Sequence, residues 1–365
     1  MRRRAPNLVV CAGGGGVGKT TVAAAMALAS ARAGVTTLVV TVDPARRLAD
    51  ALGTTIGSEV GRVDVDPAAA GRLYALMPDP KSAVRICLDH VFEGERAAHD
   101  RVASNALYLA LEDAIAGVHE LMSVVLISRA AETLPLERVI VDTAPSRHAL
   151  DFVTYPGRLA SLLEGRAMKW LGSLATHAAA PPGPRGLVAW GRRRIDRIVA
   201  STLGPRVIGD FASIFADLSI VRKRFTQVTR DAEALLLGPS SRFVLGGAPT
   251  AAARADIQHL ARRVHDLGRD ASAIVLNRAD TGPPGWVASV RASDPRADLA
   301  AAVEILETER AARTLAADET AAAFRKRWPG MTQVRLPMIA SDDPATIVGR
   351  LADAIAPSLD DLVGA

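Results

Sequence analysis

The chain has 365 residues, a formal net charge of +5, 49% apolar residues and only 4% aromatic ones. That is enough apolar material for a large core, and the Ala- and Leu-rich composition points to helix-heavy packing. Two cysteines, Cys11 and Cys87, exclude a disulfide framework or a cysteine metal site, and no uncharged apolar run approaches the ~18 residues of a membrane span.

In chain order, Met1-Arg2-Arg3-Arg4-Ala5-Pro6 is basic but leads directly into a strand, with no separate apolar signal region. A cytoplasmic protein that is not integral to a membrane is therefore expected. Leu8-Val9-Val10-Cys11-Ala12 is short and β-branched enough to be a buried parallel strand, which makes Cys11 a buried, inert thiol. Then comes Gly13-Gly14-Gly15-Gly16-Val17-Gly18-Lys19-Thr20, which fits G-x-x-x-x-G-K-[ST]. The helix former Thr21–Ala29 follows, ending near Gly34. Strand, glycine loop and helix N-terminus together make an anion site, because loop amides and the positive helix end face the phosphates. The expected nucleotide contacts are Gly13, Gly15, Gly16, Val17, Gly18, Lys19, Thr20 and Thr21. Lys19 would reach the β- and γ-phosphates of ATP or ADP, and the Thr20 hydroxyl would ligate Mg²⁺.

A second β-branched run, 35–42, ends in Asp43-Pro44, and a helix over 45–52 closes at Gly53. Two strands joined by a helix form the βαβ unit of a parallel sheet, so Asp43 falls on its ligand-facing edge. A short strand over 72–77 precedes helices over 82–98 and 106–134. The second carries Leu107, Leu111, Ile115, Val118, Met122, Val125 and Leu126 at three- and four-residue spacing, and His119 and Glu120 read as surface or capping residues. Arg138–Val141 is strand again, followed by Asp142-Thr143-Ala144-Pro145. An aspartate closing an apolar strand is weak alone, but paired with the glycine loop it marks Asp142 as the carboxylate that helps hold Mg²⁺.

Residues 152–237 are helical and interrupted, with a break at Pro181-Pro182-Gly183-Pro184. Between Arg158 and Arg206 nine positive side chains face two acidic ones, Glu164 and Asp196. Such a face attracts nucleic acid, acidic lipid or an acidic partner, or is simply solvated; no nucleic-acid-binding motif accompanies it. The α/β pattern resumes with a strand and turn over 243–249, a helix over 251–267 and a strand over 273–278 that ends on Asn277-Arg278. The Asn277 amide has the donor and acceptor to pair with a base edge. A helix over 297–325, a strand over 333–336 meeting Pro337, and a helix over 344–356 complete the pattern. The ending at 359–363 is acidic, wrong for a basic membrane-targeting helix. The expected fold is α/β: a P-loop, doubly wound, mostly parallel sheet. Its core comprises 1–151 and 238–365, with helices 82–134 partly in a helical subdomain whose inserted segment is 152–237.

Three strings stand together in this order: Ala12–Thr21, Val42-Asp43-Pro44-Ala45-Arg46-Arg47-Leu48, and Asp142-Thr143-Ala144-Pro145-Ser146-Arg147-His148-Ala149-Leu150. They resemble the anion-transporting ATPases of the arsenite-pump type, which include the targeting ATPases for tail-anchored proteins. The resemblance implies a dimeric Mg²⁺-dependent ATPase in which Asp43 positions or activates the attacking water and Asn277 with Pro337 holds the adenine. The segment from Asp142 would relay the γ-phosphate state to the helical subdomain. Members carry a lysine at the second loop position that reaches the partner subunit's phosphates; here that position is Gly14. Two readings follow: a heterodimer with a paralogue that supplies the lysine, or a slow ATPase in which Arg46 or Arg47 substitutes. With only Cys11 and Cys87, neither an arsenite-binding trio nor a zinc-stapled dimer can be built. The implied partner is a protein client or membrane-associated protein at the helical insertion. The competing readings are a positioning ATPase on DNA or membrane, which the basic stretch suits, and a non-catalytic nucleotide-binding subunit.

Overall fold

The computed structural model describes residues 5–43, 47–64, 70–106, 108–109, 118–144, 150–154, 205–280 and 297–364. Two compact units divide the chain: one formed by Met1–Pro78, Arg129–Asp151 and Leu235–Ala365, the other by Asp79–Ser128 and Phe152–Ala234.

The first unit is built on an eight-stranded sheet of order β3-β4-β2-β5-β1-β6-β7-β8. Its strands are β1 (Asn7–Gly13), β2 (Thr37–Thr41), β3 (Gly61–Val63), β4 (Leu73–Leu76), β5 (Arg138–Asp142), β6 (Ser241–Gly247), β7 (Ala273–Asp280) and β8 (Thr332–Pro337). All neighbours pair in parallel except the edge pair β3–β4, which is antiparallel. The sequence pattern did not mark β3, because three residues of which only Val63 is buried carry no period. The central strands β1, β2 and β5 are buried over nearly their whole length, which is why they run as Val/Ile/Leu-rich blocks without alternation. Chain order reverses at β1: β2 lies on one side beyond β5, and β6 to β8 extend on the other. Ligands of open α/β sheets bind at such a switch point, outside the carboxyl ends of the strands.

Helix α1 (Lys19–Arg32) is almost all alanine and small residues, and ten of its fourteen residues are buried. Small side chains let it lie close in the core with Val9, Cys11, Val39 and Ile140 of the sheet and with Val348, Leu351, Ala352 and Ile355 of a later helix. That helix is α9 in a series running α2 (Arg47–Leu52), α3 (Pro80–Val91), α4 (Arg96–Ala103), α5 (Val118–Thr133), α6 (Pro205–Leu237), α7 (Ala251–Asp266), α8 (Ala297–Arg327), α9 (Pro344–Ile355) and α10 (Leu359–Val363). The acidic ending is not an exposed tail: Leu359, Leu362 and Val363 of α10 are buried in this core.

In the second unit, the single helix expected over 82–98 is two, α3 and α4, because Gly94 takes a left-handed φ of 85° between them. Helix α6 runs unbroken for 33 residues, longer than its interrupted pattern suggests. It is tied by Arg101 to buried Asp217, at 2.5 Å from Nη2 to Oδ1, by the Asn105 amide donating to the Asp210 carbonyl at 3.0 Å, and by Arg224 donating to the Glu93 carbonyl. His99 sits between Asp89 and Asp100, whose carboxylates raise its pKa. The basic stretch 158–206 and His119 and Glu120 lie outside the residues or side chains described. Among the described residues no helix is long and apolar enough to cross a membrane.

Candidate functional site

The glycine loop leaves β1 at the switch point, and close packing explains its first residue. Gly13 is in register with Gly246 of β6, and a Cβ on Gly13 would collide with the Gly246 carbonyl. The loop closes on Gly18, whose φ of 85° places it in the left-handed region, and Gly18 serves as N-cap of α1 without a capping side chain. The first turn of α1 contains no acidic residue. No side chain caps its first amides, which are left for a bound anion. Gly15 and Gly16 are exposed with open space beside them, Val17 is buried, and Thr20 and Thr21 are half-buried at the start of the helix.

Lys19 is buried and folds back over its own loop, donating from Nζ to the Gly14 carbonyl at 3.1 Å. Burial lowers its pKa, while the charges of Asp142 and Asp43 oppose that shift. Thr20 donates from its hydroxyl to Asp142 Oδ2 at 2.7 Å across 122 residues of sequence. Sheet register brings them together: β5 lies between β1 and β2, with Asp142 opposite Cys11 on one side and Thr41 on the other. Thr41 also donates to Asp142 Oδ2, at 3.1 Å, and accepts the Asp43 amide at 3.1 Å. Thr143 ties the end of β5 to β1 by donating to the Cys11 carbonyl at 2.9 Å.

Asp142 is fully buried, and its second oxygen, Oδ1, has no hydrogen-bond partner. Desolvation pushes its pKa up to about 6, against the opposing hydrogen bonds of Thr20 and Thr41 and the charge of Lys19. A buried carboxylate oxygen left without a donor, beside a hydroxyl, is an all-oxygen arrangement suited to a small hard cation such as Mg²⁺. Thr20 and Asp142 are thus brought together. Asp43 is buried at the end of β2 with Arg47 Nη1 3.5 Å from its Oδ2. Pro44 to Arg46 and Pro145 to Ala149 lie outside the described residues.

Three features were not legible in the sequence. Thr41 gave only a weak signal, a polar residue inside an apolar run. Asp256 on α7 gave none: its carboxylate fills the space a Cβ on Gly14 would need. The Asn277 amide is buried and engaged within the chain, with Nδ2 donating to the Val17 carbonyl at 3.0 Å and Oδ1 accepting the Arg278 amide at 3.0 Å. Pro337 ends β8 opposite Asp280 of β7. Burial pushes the Cys11 thiol well above its ordinary pKa and that of Cys87 up to about 12, so both are poor nucleophiles.

A glycine loop between a central parallel strand and a helix, with an aspartate closing the neighbouring strand, defines an α/β protein of the P-loop fold. Residues 7–181 match the model of the anion-transporting ATPase family. Over that stretch the chain is similar to this family. Among its curated relatives are ATPase GET3 of Podospora anserina, 30% identical over 176 residues, or 48% of this chain and 49% of that protein. Another is ATPase GET3 of Chaetomium globosum, 31% identical over 163 residues, covering 45% and 46%. The match spans about half the length of these relatives.

Proposed function

We propose that this chain is a Mg²⁺-dependent ATPase switch, cytoplasmic and dimeric, that couples its nucleotide state to a protein or membrane-associated partner through its helical unit. The observation that carries the reading is Asp142: a buried carboxylate held by Thr20 and Thr41, with one oxygen unsatisfied, at the end of the strand beside the glycine loop. Phosphoryl transfer asks a protein for positioning and charge neutralisation rather than covalent chemistry. In this reading Lys19 turns from the Gly14 carbonyl to the phosphates, and the loop amides and α1 N-terminus take the remaining charge. Thr20 and Asp142 would hold Mg²⁺, which would neutralise charge on the phosphoryl oxygens. Asp43 orients the attacking water, Arg47 at its side sets that carboxylate's direction, and Asn277 and Pro337 flank the adenine.

Gly14 is one of two points at which the chain departs from the pattern of the family it resembles, the other being its lack of the paired cysteines. The reading retains both solutions: a heterodimer with a lysine-bearing paralogue, or a slow homodimer in which Arg46 or Arg47 supplies the charge. A lysine at position 14 meets Asp256 first, so the decisive variant is Gly14→Lys combined with Asp256→Ala. Single-turnover hydrolysis of Mg-ATP by the isolated dimer is expected to be slow and to be abolished by Lys19→Ala. The double variant should raise it by a large factor, up to the ~10³–10⁵ that a trans-acting cation supplies. A wild-type homodimer already as fast as the double variant, and indifferent to Arg46→Ala and Arg47→Ala, would overturn both solutions; failure to bind Mg-ATP would overturn the reading itself.

A further inference from the structure

Resting on that nucleotide-binding reading, we infer that Asn277 is a positioning residue for the phosphate loop. Its side-chain amide holds the loop in its anion-binding shape, in addition to any contact it makes with a base.

The placement is unusual for a strand residue. Strand β7 pairs with β8 in regular register up to Leu276, and the register then shifts before Asp280. Within that interval Arg278 has φ of 57°, the one positive φ of a non-glycine residue among the described residues. An irregularity of this kind bends a strand and re-aims a side chain, and such features gather beside functional sites. Here the re-aimed side chain is Asn277, and it crosses 260 residues of sequence to donate to the Val17 carbonyl inside the glycine loop. Its other end is fixed by the Arg278 amide, the same residue that carries the left-handed backbone. The fit is close: a Cβ on Gly18 would collide with Asn277 Nδ2, so the amide occupies the space that glycine provides.

Val17 and Gly18 are the last loop residues before α1, so the orientation of their peptide sets where the loop amides and Lys19 face. An amide has two donors and two lone pairs. One donor and one lone pair of Asn277 are used within the chain, and one of each remains, the complement needed to pair with a base edge. A single side chain would then link the position of the base to the shape of the phosphate loop.

The test uses two probes on the full chain by calorimetric titration: Mg-ATP, and Mg-tripolyphosphate, which has no base. Removing Asn277 by Asn277→Ala is expected to weaken both by about five- to thirtyfold, the loss that goes with a buried hydrogen bond of order 1–2 kcal/mol. Asn277→Asp has nearly the same shape and keeps the acceptor for Arg278, but loses the donor to Val17. It should weaken tripolyphosphate comparably, and its deficit relative to wild type should shrink as pH falls and the carboxyl regains a proton to donate. A purely structural loss would show no such pH-dependent rescue. Faster hydrogen exchange of residues 13–18 in the unliganded variants, with unfolding midpoints near wild type, would support the assignment. If Asn277→Ala weakens Mg-ATP but leaves tripolyphosphate unchanged, the residue reads the base alone and the inference is overturned. A deficit of Asn277→Asp that is flat with pH also overturns it. A wild-type chain that binds neither probe overturns the nucleotide reading first, and the inference with it.

Discussion

Strand β5 begins and ends on a buried charge, and its two ends serve different purposes. At the first residue Arg138 donates from Nη1 to Ser30 Oγ at 2.9 Å and from Nη2 to the Gly364 carbonyl at 2.7 Å, leaving only Nε without a partner. At the last, Asp142 holds two hydroxyls on one oxygen and nothing on the other. Burial pushes both groups towards neutrality, lowering the arginine's pKa and raising the aspartate's. The arginine starts so far above pH 7 that it stays charged, and its hydrogen bonds close the back of the sheet around α10. The aspartate is brought to about 6, near neutrality, with an unmet demand for positive charge. At the back edge all of the arginine's described donors but Nε are satisfied within the chain, whereas at the front edge one carboxylate oxygen of Asp142 is left without a partner.

The strongest way to break this contrast is Asp142→Asn. Removing a carboxylate from the proposed cation site should lower Mg²⁺-dependent ATP hydrolysis by about a hundredfold or more, since the ion's contribution is several kcal/mol. In the wild type the same activity should decline as pH falls through about 6, where Asp142 takes up a proton. Stability should move the opposite way. The folded-state pKa lies above the ordinary 3.8, so the unfolded chain releases its proton first and stability is lost between pH 3.8 and about 6. A shift of that size corresponds to about 3 kcal/mol, so Asp142→Asn should stabilise the unliganded protein by up to about 3 kcal/mol at pH 7. Denaturant titrations of both proteins from pH 3 to 8 measure this. A gap that stays constant across the range would show that Asp142 carries no desolvation cost.

Leu362→Ala addresses the back edge. Leu362 is fully buried in the core, so its truncation should cost about 2–5 kcal/mol through lost burial and the cavity left behind. Nucleotide affinity measured well below the unfolding midpoint should be unchanged. A parallel loss of affinity would mean that the two edges are not independent. The smallest effect is expected at Thr250, whose hydroxyl caps α7 by accepting the Ala253 amide at 3.2 Å. Thr250→Ala should cost about 1 kcal/mol, seen as a lower denaturant midpoint at unchanged slope. Because α7 also carries Asp256, this variant shows how firmly the carboxylate beside Gly14 is held.

Much of the front edge was legible in the chain itself. The glycine loop is a contiguous string whose spacing follows from the geometry of phosphate binding, and Asp43 and Asp142 each close an apolar run, so their place at the carboxyl edge follows from the parallel sheet. The fold class followed from β-branched blocks alternating with helix formers. The division of the second unit's first helix did not, because one glycine between two good helix formers is tolerated as often as it breaks. The irregular end of β7 was hidden for a related reason: no residue type marks a left-handed conformation at an arginine.

Local rules of hydrophobic period, strand-end acids and loop glycines suffice to identify an α/β protein of the P-loop fold, since each acts over a few residues. Which partners those residues take is decided by strand order and register. Placing β5 between β1 and β2 sets Thr41 and Thr20 on one carboxylate oxygen of Asp142. Bringing β6 and α7 beside the loop puts Asp256 against Gly14, and the shift in β7 delivers Asn277 to Val17. These contacts join positions more than a hundred residues apart, or two strands that share no local pattern. Only the packed sheet holds them close enough to interact.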